Sequence, residues 1–228
     1  MGLFGGPNIE KLKAKGDVSG LIKALGDKNP TVRQAAAEAL RSIGGPEADE
    51  ALAARDEALA AHAVIARARD LASDKLGQMK VVGKDIKELE SKGYVRALLE
   101  VLSSTATDWA VRSWAAQALG RLRDPRAVDQ LLGATGDPNW GVVCSAAGAL
   151  GEIGDPRATD RLKALLTWKP QAAPVGAVRE AVAGYRNAPQ MSRAFEAAAA
   201  SEMGQAQAED VQKAAREALE KLGSQSSG

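Results

Sequence analysis

The residue types that could do covalent chemistry are few in this chain of 228 residues, and each stands alone. Cys144 is the single cysteine and His62 the single histidine. A thiol nucleophile needs a base or cation that holds it as thiolate, and no histidine or second cysteine lies near Cys144 in sequence. One thiol also excludes an internal disulfide framework and a multi-cysteine metal cage. His62 falls between Arg55 and Arg69 on one heptad line, the pattern of a solvated helix face. A phosphate loop needs glycines between a strand and a helix, whereas the glycines here stand at helix ends or, like Gly148, inside a helix. We therefore expect no catalytic residue, no cofactor and no metal. Binding chemistry is better represented. Trp109 and Trp140 each follow a residue able to cap a helix, and tryptophan is enriched among side chains that carry binding energy. Arg33, Arg112 and Arg179 each follow a valine and are candidates for ligand contact.

These side chains are positioned by an internal repeat. At an offset of 77, Leu12, Gly16, Val18, Leu21 and Leu25 meet Leu89, Gly93, Val95, Leu98 and Leu102. After two inserted residues the match continues at 79, bringing Asn29, Val32, Arg33, Leu40 and Pro46 onto Asp108, Val111, Arg112, Leu119 and Pro125. A third offset, 31, carries Trp109, Val111, Leu119 and Gly120 onto Trp140, Val142, Leu150 and Gly151, and Asp124-Pro-Arg-Ala onto Asp155-Pro-Arg-Ala. Near the end, Val211, Ala214, Ala215, Leu219, Leu222 and Gly223 reproduce Val32, Ala35, Ala36, Leu40, Ile43 and Gly44. A repeat of this size is one supersecondary unit whose apolar face is covered only by its neighbours, so the chain reads as a solenoid. Asn29, Asp108 and Asn139 stand as N-caps before apolar series such as Val111, Trp114, Ala115, Ala118, Leu119, Leu122, which places Trp114 in the core. Gly44 and Gly154 stand as C-caps, and each unit is helix A, short turn, helix B.

The segments NPTVRQAAAEALRSIGGPEA, DWAVRSWAAQALGRLRDPRA and NWGVVCSAAGALGEIGDPRA resemble HEAT repeats of the short phycobilisome-lyase type. The resemblance implies an all-α, right-handed solenoid forming one domain over 1–228, with repeats at about 8–44, 84–123, 124–154, 155–187 and 189–223 and a loose tail at 224–228. In the fourth repeat, residues 168–174 lengthen the turn. An inserted stretch at 46–83 lacks Gly and Pro from Glu47 to Asp74 and reads as one helix from Pro46 to about Lys75, or as a divergent repeat. A single helix of that length would span roughly 45 Å. Its Ala51, Ala54, Ala58, Ala61, Ile65, Ala68 and Ala72 form a seam of small side chains suited to close helix packing.

The family resemblance also bears on function. Such repeats occur in scaffolds, enzyme subunits and nucleic-acid binders. In these arrays the arginine after the valine joins an aspartate of a neighbouring turn, here Asp27 or Asp137, as an alternative to ligand contact. HEAT-like deoxyhypusine hydroxylases hold iron with His-Glu pairs, and this chain has none. HEAT-like alkylpurine glycosylases offer Trp, Asp and Arg in a basic cleft, which Asp108, Trp109, Trp140 and Arg112 match superficially. Yet residues 84–187 hold 14 basic and 12 acidic side chains, and the chain as a whole carries a net charge of +1. That balance supplies little field for nucleic acid or an anionic membrane. No apolar run nears the ~18 residues of a membrane span. Met1-Gly-Leu-Phe-Gly-Gly is no signal peptide, and we expect a cytoplasmic protein.

The expectation is a non-enzymatic interaction scaffold whose concave B-helix face binds another protein, with a bilin-lyase-like enzyme subunit as the alternative. Trp109 and Trp140 should project near one edge of that face, as anchors or packed on the preceding turn, with Arg112 beside them. On the third repeat Val143, Cys144, Ala147, Gly148 and Gly151 look outward as a small, mostly apolar stripe. We expect a helix to cover it, either 46–75 of this chain or a partner's, so that Leu at 148 would clash.

Overall fold

Each of the first three helices begins on a side chain that satisfies an otherwise unpaired amide. Asn8 Oδ1 accepts from the Lys11 amide at 3.0 Å, Asp17 Oδ1 from Gly20 at 2.8 Å and Asn29 Oδ1 from Thr31 at 2.9 Å. In this computed structural model, residues 7–69, 75–170 and 193–225 are described, and every regular element among them is helical. Where the sequence reads as one domain, the helices group into two compact units, Met1–Ala63 and Val64–Gly228.

In the first unit α1 (Ile9–Ala14) and α2 (Val18–Ala24) turn at Gly16 and lead into α3 (Pro30–Ile43). The N-cap expected at Asn29 is present, and α3 stops at Gly44, whose φ of +69° suits glycine. Leu21, Ala37, Ala39, Leu40, Ala48 and Leu52 form the core, with Ile9, Leu12, Ile22 and Leu25 packed at its margin. Leu25 and Val32, expected to be buried, are half-exposed. Leu25 terminates α2, and Val32 lies on the first turn of α3.

Helix α4 (Pro46–Arg69) is continuous for 24 residues. Its expected extension to about Lys75 crosses residues 70–74, which lie outside the described residues. Its buried side chains are Ala48, Leu52, Ala61, Val64 and Ala68. The alanine seam is therefore taken up at Ala61 and Ala68, while Ala51, Ala54 and Ala58 stay half-exposed.

The second unit is built from α5 (Lys75–Ser91), α6 (Val95–Ser103), α7 (Trp109–Leu122), α8 (Val128–Ala134), α9 (Trp140–Ile153), α10 (Thr159–Leu165) and α11 (Arg193–Gln225). Asp108 and Asn139 cap α7 and α9 as expected, each accepting at 2.9 Å from the amide two residues on. Asp124 and Asp155 cap short 3-10 turns at the two Pro-Arg-Ala motifs, which gives that repeated sequence its role. Helices α7, α9 and α11 lie side by side, and α6, α8 and α10 pack behind them. Leu98, Leu102, Val111, Leu119, Val142 and Leu150 are buried between these layers as the repeat requires.

Two expected boundaries move. Helix α5 starts nine residues before the repeat assigned to 84–123, so the insertion and that repeat share one helix. The pair of helices expected at 189–223 is a single helix of 33 residues, and it continues through Ser224 to Gln225 into the expected loose tail. Alanine and glutamate dominate it and no proline interrupts it, so Gly204 and Gly223 do not stop it. The second helix of the fourth repeat and Arg179 lie outside the described residues.

Leu119 has no exposed surface. Leu119→Ala should lower the unfolding free energy by about 2–5 kcal/mol through the cavity it leaves. A loss under about half a kcal/mol in urea titration would contradict the packing register.

Candidate partner-binding face

The side of α7, α9 and α11 turned away from α6, α8 and α10 is where the sequence places a partner. The helices approach closely at two equivalent points. A Cβ added at Gly120 would lie 2.7 Å from the Cα of Ala149, and one at Gly151 would lie 2.6 Å from the Cα of Ala218. The same register, 31 residues from α7 to α9 and 69 from α9 to α11, aligns Gln117, Gly148 and Glu217 in one row, and Arg121, Glu152 and Lys221 in the next. Across that face Ser113 and Ser145 share a hydrogen bond of 2.7 Å, and Gln117 Nε2 donates to Ser145 Oγ at 3.2 Å. Glu152 pairs with Arg123 at 3.2 Å and with Lys221, which holds its carboxyl below the usual carboxylate range.

The residues predicted to meet a partner separate into two groups. Trp109 is 46% exposed, and its ring lies over Gly141, where a Cβ would come within 3.0 Å of it. Trp140 is half-buried and lines a recess with Trp168, Arg161 and Gln207. A Cβ added at Gly148 would have nothing within 4 Å of it, so the clash expected for Leu at 148 has no counterpart among the described residues of this chain. Cys144 is half-buried beside Asp210.

The others are taken up by the fold. Val143 and Ala147 have no exposed surface, and Gly151 lies under Ala218. These three present nothing for a partner to touch. The helix over Gly151 is α11, neither of the two candidates named from the sequence, the segment 46–75 and a partner's helix. That follows from the repeat, since α11 occupies the place beside α9 that α9 occupies beside α7. Arg112 is a strut. Its Nε and Nη2 donate to Asp137 at 3.0 and 3.1 Å, and its Nη1 to the Thr107 carbonyl at 2.7 Å. With both side chains mostly buried, that bidentate pair ties the turn before α7 to the turn before α9.

Trp114 is the residue that sequence reasoning misplaces. It is half-buried and lines a cleft of about 1010 Å³ between α5 and α7, with Met79, Gly83 and Ile86 opposite. Arg121 closes one end through a bidentate pair with Glu90, at 2.6 and 2.7 Å. A signal is present in the sequence. The counterparts of Trp114 are the small Ala35 and Ser145, which marks a position at the edge of the apolar series and not a core slot.

Among the described residues no group of three or more His, Cys, Asp and Glu side chains gathers as a metal centre needs. No described helix is long and apolar enough to cross a membrane. The family described as HEAT repeats matches residues 9–70 and 95–184. No curated protein sequence matches the chain. Among solved structures, a crystallised engineered protein is similar at 23% identity over 96% of this chain and 85% of its own, with a TM-score of 0.34. A designed armadillo repeat protein in complex with the peptide (KR)4 is similar at 21% identity, over 94% of this chain and 85% of its own, with a TM-score of 0.33. Human deoxyhypusine hydroxylase in complex with glycerol is similar at 21% identity, over 95% of this chain and 66% of its own, with a TM-score of 0.32.

Burial, and then the Asp210 carboxylate, push the Cys144 thiol up to about 11. Alkylation by iodoacetamide at pH 8 should therefore run about two orders of magnitude slower than for a free cysteine of pKa ~8.5. The rate should still be rising at pH 10. A plateau by pH 9 would show an activated thiol instead.

Proposed function

The chain belongs to the HEAT-repeat family, and on that footing we propose that it is a non-enzymatic interaction scaffold that binds another protein across the open face of its B helices. The observation that carries this reading is Trp109. It is a large apolar side chain held half out of the protein by its contact with Gly141, at the edge of a face whose middle, at Gly148, is free of side chains. A tryptophan so placed loses little conformational freedom on binding and brings a large apolar area to a partner. Trp140, Gly148 and the exposed part of Cys144 continue the contact surface from it. Arg112 and Asp137 position that surface by fixing the turns from which α7 and α9 start. The short phycobilisome-lyase subtype and a cytoplasmic setting belong to the same proposal.

The cleft beside Trp114 is the one feature that favours the second reading, a lyase-type subunit that cradles a pigment. A visible absorption band after co-expression with a pigment pathway distinguishes it.

The test is affinity capture on the immobilised full chain, wild type against Trp109→Ala, with the melting temperature of each measured in parallel. The wild type should retain a partner whose affinity falls about thirtyfold in the variant, as expected when a ~2 kcal/mol anchor is removed. The melting temperature should change little, because the ring is already half in water. Equal retention by both proteins would remove Trp109 from the binding surface.

A further inference from the structure

Resting on the scaffold reading, we propose that the cleft between α5 and α7 is the docking site for an acidic segment of the partner protein, with an apolar side chain seated against Trp114. The floor and the rim of the cleft call for different chemistry. Met79, Ile86 and the half-buried face of Trp114 make the floor, and Gly83 leaves it open from the α5 side. The volume of about 1010 Å³ is at the upper end of the range for ligand pockets, enough for several side chains. An apolar surface of this kind gains from being covered by another apolar group.

The rim is basic. Lys80, Lys84 and Lys87 follow one another on the exposed side of α5, and all three line the cleft. The acids near them are already engaged. Glu90 is held by Arg121 in the bidentate pair, which lowers its carboxyl below the usual range. On the other side of α5, Asp85 lies 2.9 Å from Arg67 and Glu88 lies 2.7 Å from Lys92. Lys80 and Lys84 have no ion pair among the described residues, and Glu90, the carboxylate that Lys87 acts on, is already paired with Arg121. Three ammonium groups above an apolar trough are complementary to a segment that alternates carboxylates with Leu, Ile or Phe.

A nucleic-acid strand is the weaker match. Its phosphates need a long basic track, and here the lysines are three, on one helix, in a region of nearly balanced charge. The floor beside Trp114 is methionine and isoleucine, where successive bases would want further aromatic platforms.

The experiment uses the full chain and a short fluorescein-labelled peptide of Glu and Asp around one Phe and two Leu, followed by anisotropy. Two control peptides replace the apolar residues by Ser or the acids by Lys. The first peptide should bind saturably and more weakly as salt rises, and neither control should bind. Lys80→Glu with Lys84→Glu, both at exposed positions that leave the fold intact, should weaken binding by at least about tenfold. Gly83→Leu, which fills the cleft from α5, should weaken it without changing the charge. Binding of the lysine peptide, indifference to the double charge reversal, or displacement of the acidic peptide by a single-stranded oligonucleotide would overturn the proposal. If no peptide binds while the captured partner is still lost in Trp109→Ala, the acidic-segment inference fails and the scaffold reading stands. If neither the wild type nor the Trp109 variant retains any partner, both fail.

Discussion

The second unit depends on how closely neighbouring B helices can approach. At ordinary interaxial distances of 8–10 Å, side chains separate two helix backbones. Here, at Gly120 against Ala149 and again at Gly151 against Ala218, even one added methyl group would meet backbone atoms. The contact is made by a glycine on one helix and an alanine on the next, and the register between them is the repeat. Because Gly120, Gly151 and their partners are set by the same spacing, α7, α9 and α11 are stacked by one rule applied twice. The A helices α6, α8 and α10 then fill the back of that row with leucine and valine.

Two features of the open face follow from the stack. Close packing consumes the residues that look sideways along the row, so Val143, Ala147 and Gly151 are interior although the sequence lets them look like surface. The residues one step further round, Gln117, Gly148 and Glu217, face outward and set the relief of the face. Glycine at 148 makes the centre of that relief low. The Arg112 pair with Asp137 works at the ends of the same helices. It joins the turn before α7 to the turn before α9. Trp114 stands where the row stops being regular, because its neighbour is α5, whose Gly83 and lysines give the cleft its shape and charge.

Much of this fold is legible in the sequence because each cue has a local cause. Asn29, Asp108 and Asn139 cap helices because a short polar side chain can reach an unpaired amide, and Gly44 and Gly154 end them because φ is positive there. The likeness of 211–223 to 32–44 identifies the helix that lies beside α9, although the helix itself runs from Arg193 to Gln225. What the sequence hides is relational. Nothing in the local spacing of Cys144, Ala147 and Gly151 says which segment covers them, and the helix over Gly151 is α11. Periodicity puts Trp114 in the core because it cannot tell the centre of an apolar stripe from its edge. The small counterparts Ala35 and Ser145 carry that information. The cleft is invisible in the sequence because it needs α5 and α7 together, and α5 begins in a stretch that reads as an insertion.

The central claim, that α9 touches its neighbour through one glycine and leaves another facing open space, is tested most directly by giving both the same methyl group. Alanine is favoured over glycine in a helix interior by roughly 1 kcal/mol. Gly148→Ala, with nothing within 4 Å of its new Cβ, should therefore raise the unfolding free energy by up to that amount, read as a higher urea midpoint at unchanged m-value. Gly151→Ala drives its Cβ to 2.6 Å from the Ala218 backbone and should lower stability by about 1–3 kcal/mol despite the same gain in helix propensity. Opposite signs for two substitutions three residues apart in one helix are the predicted result. Midpoints that move in the same direction, or a Gly151→Ala chain more stable than the wild type, would contradict the stacking of α11 on α9.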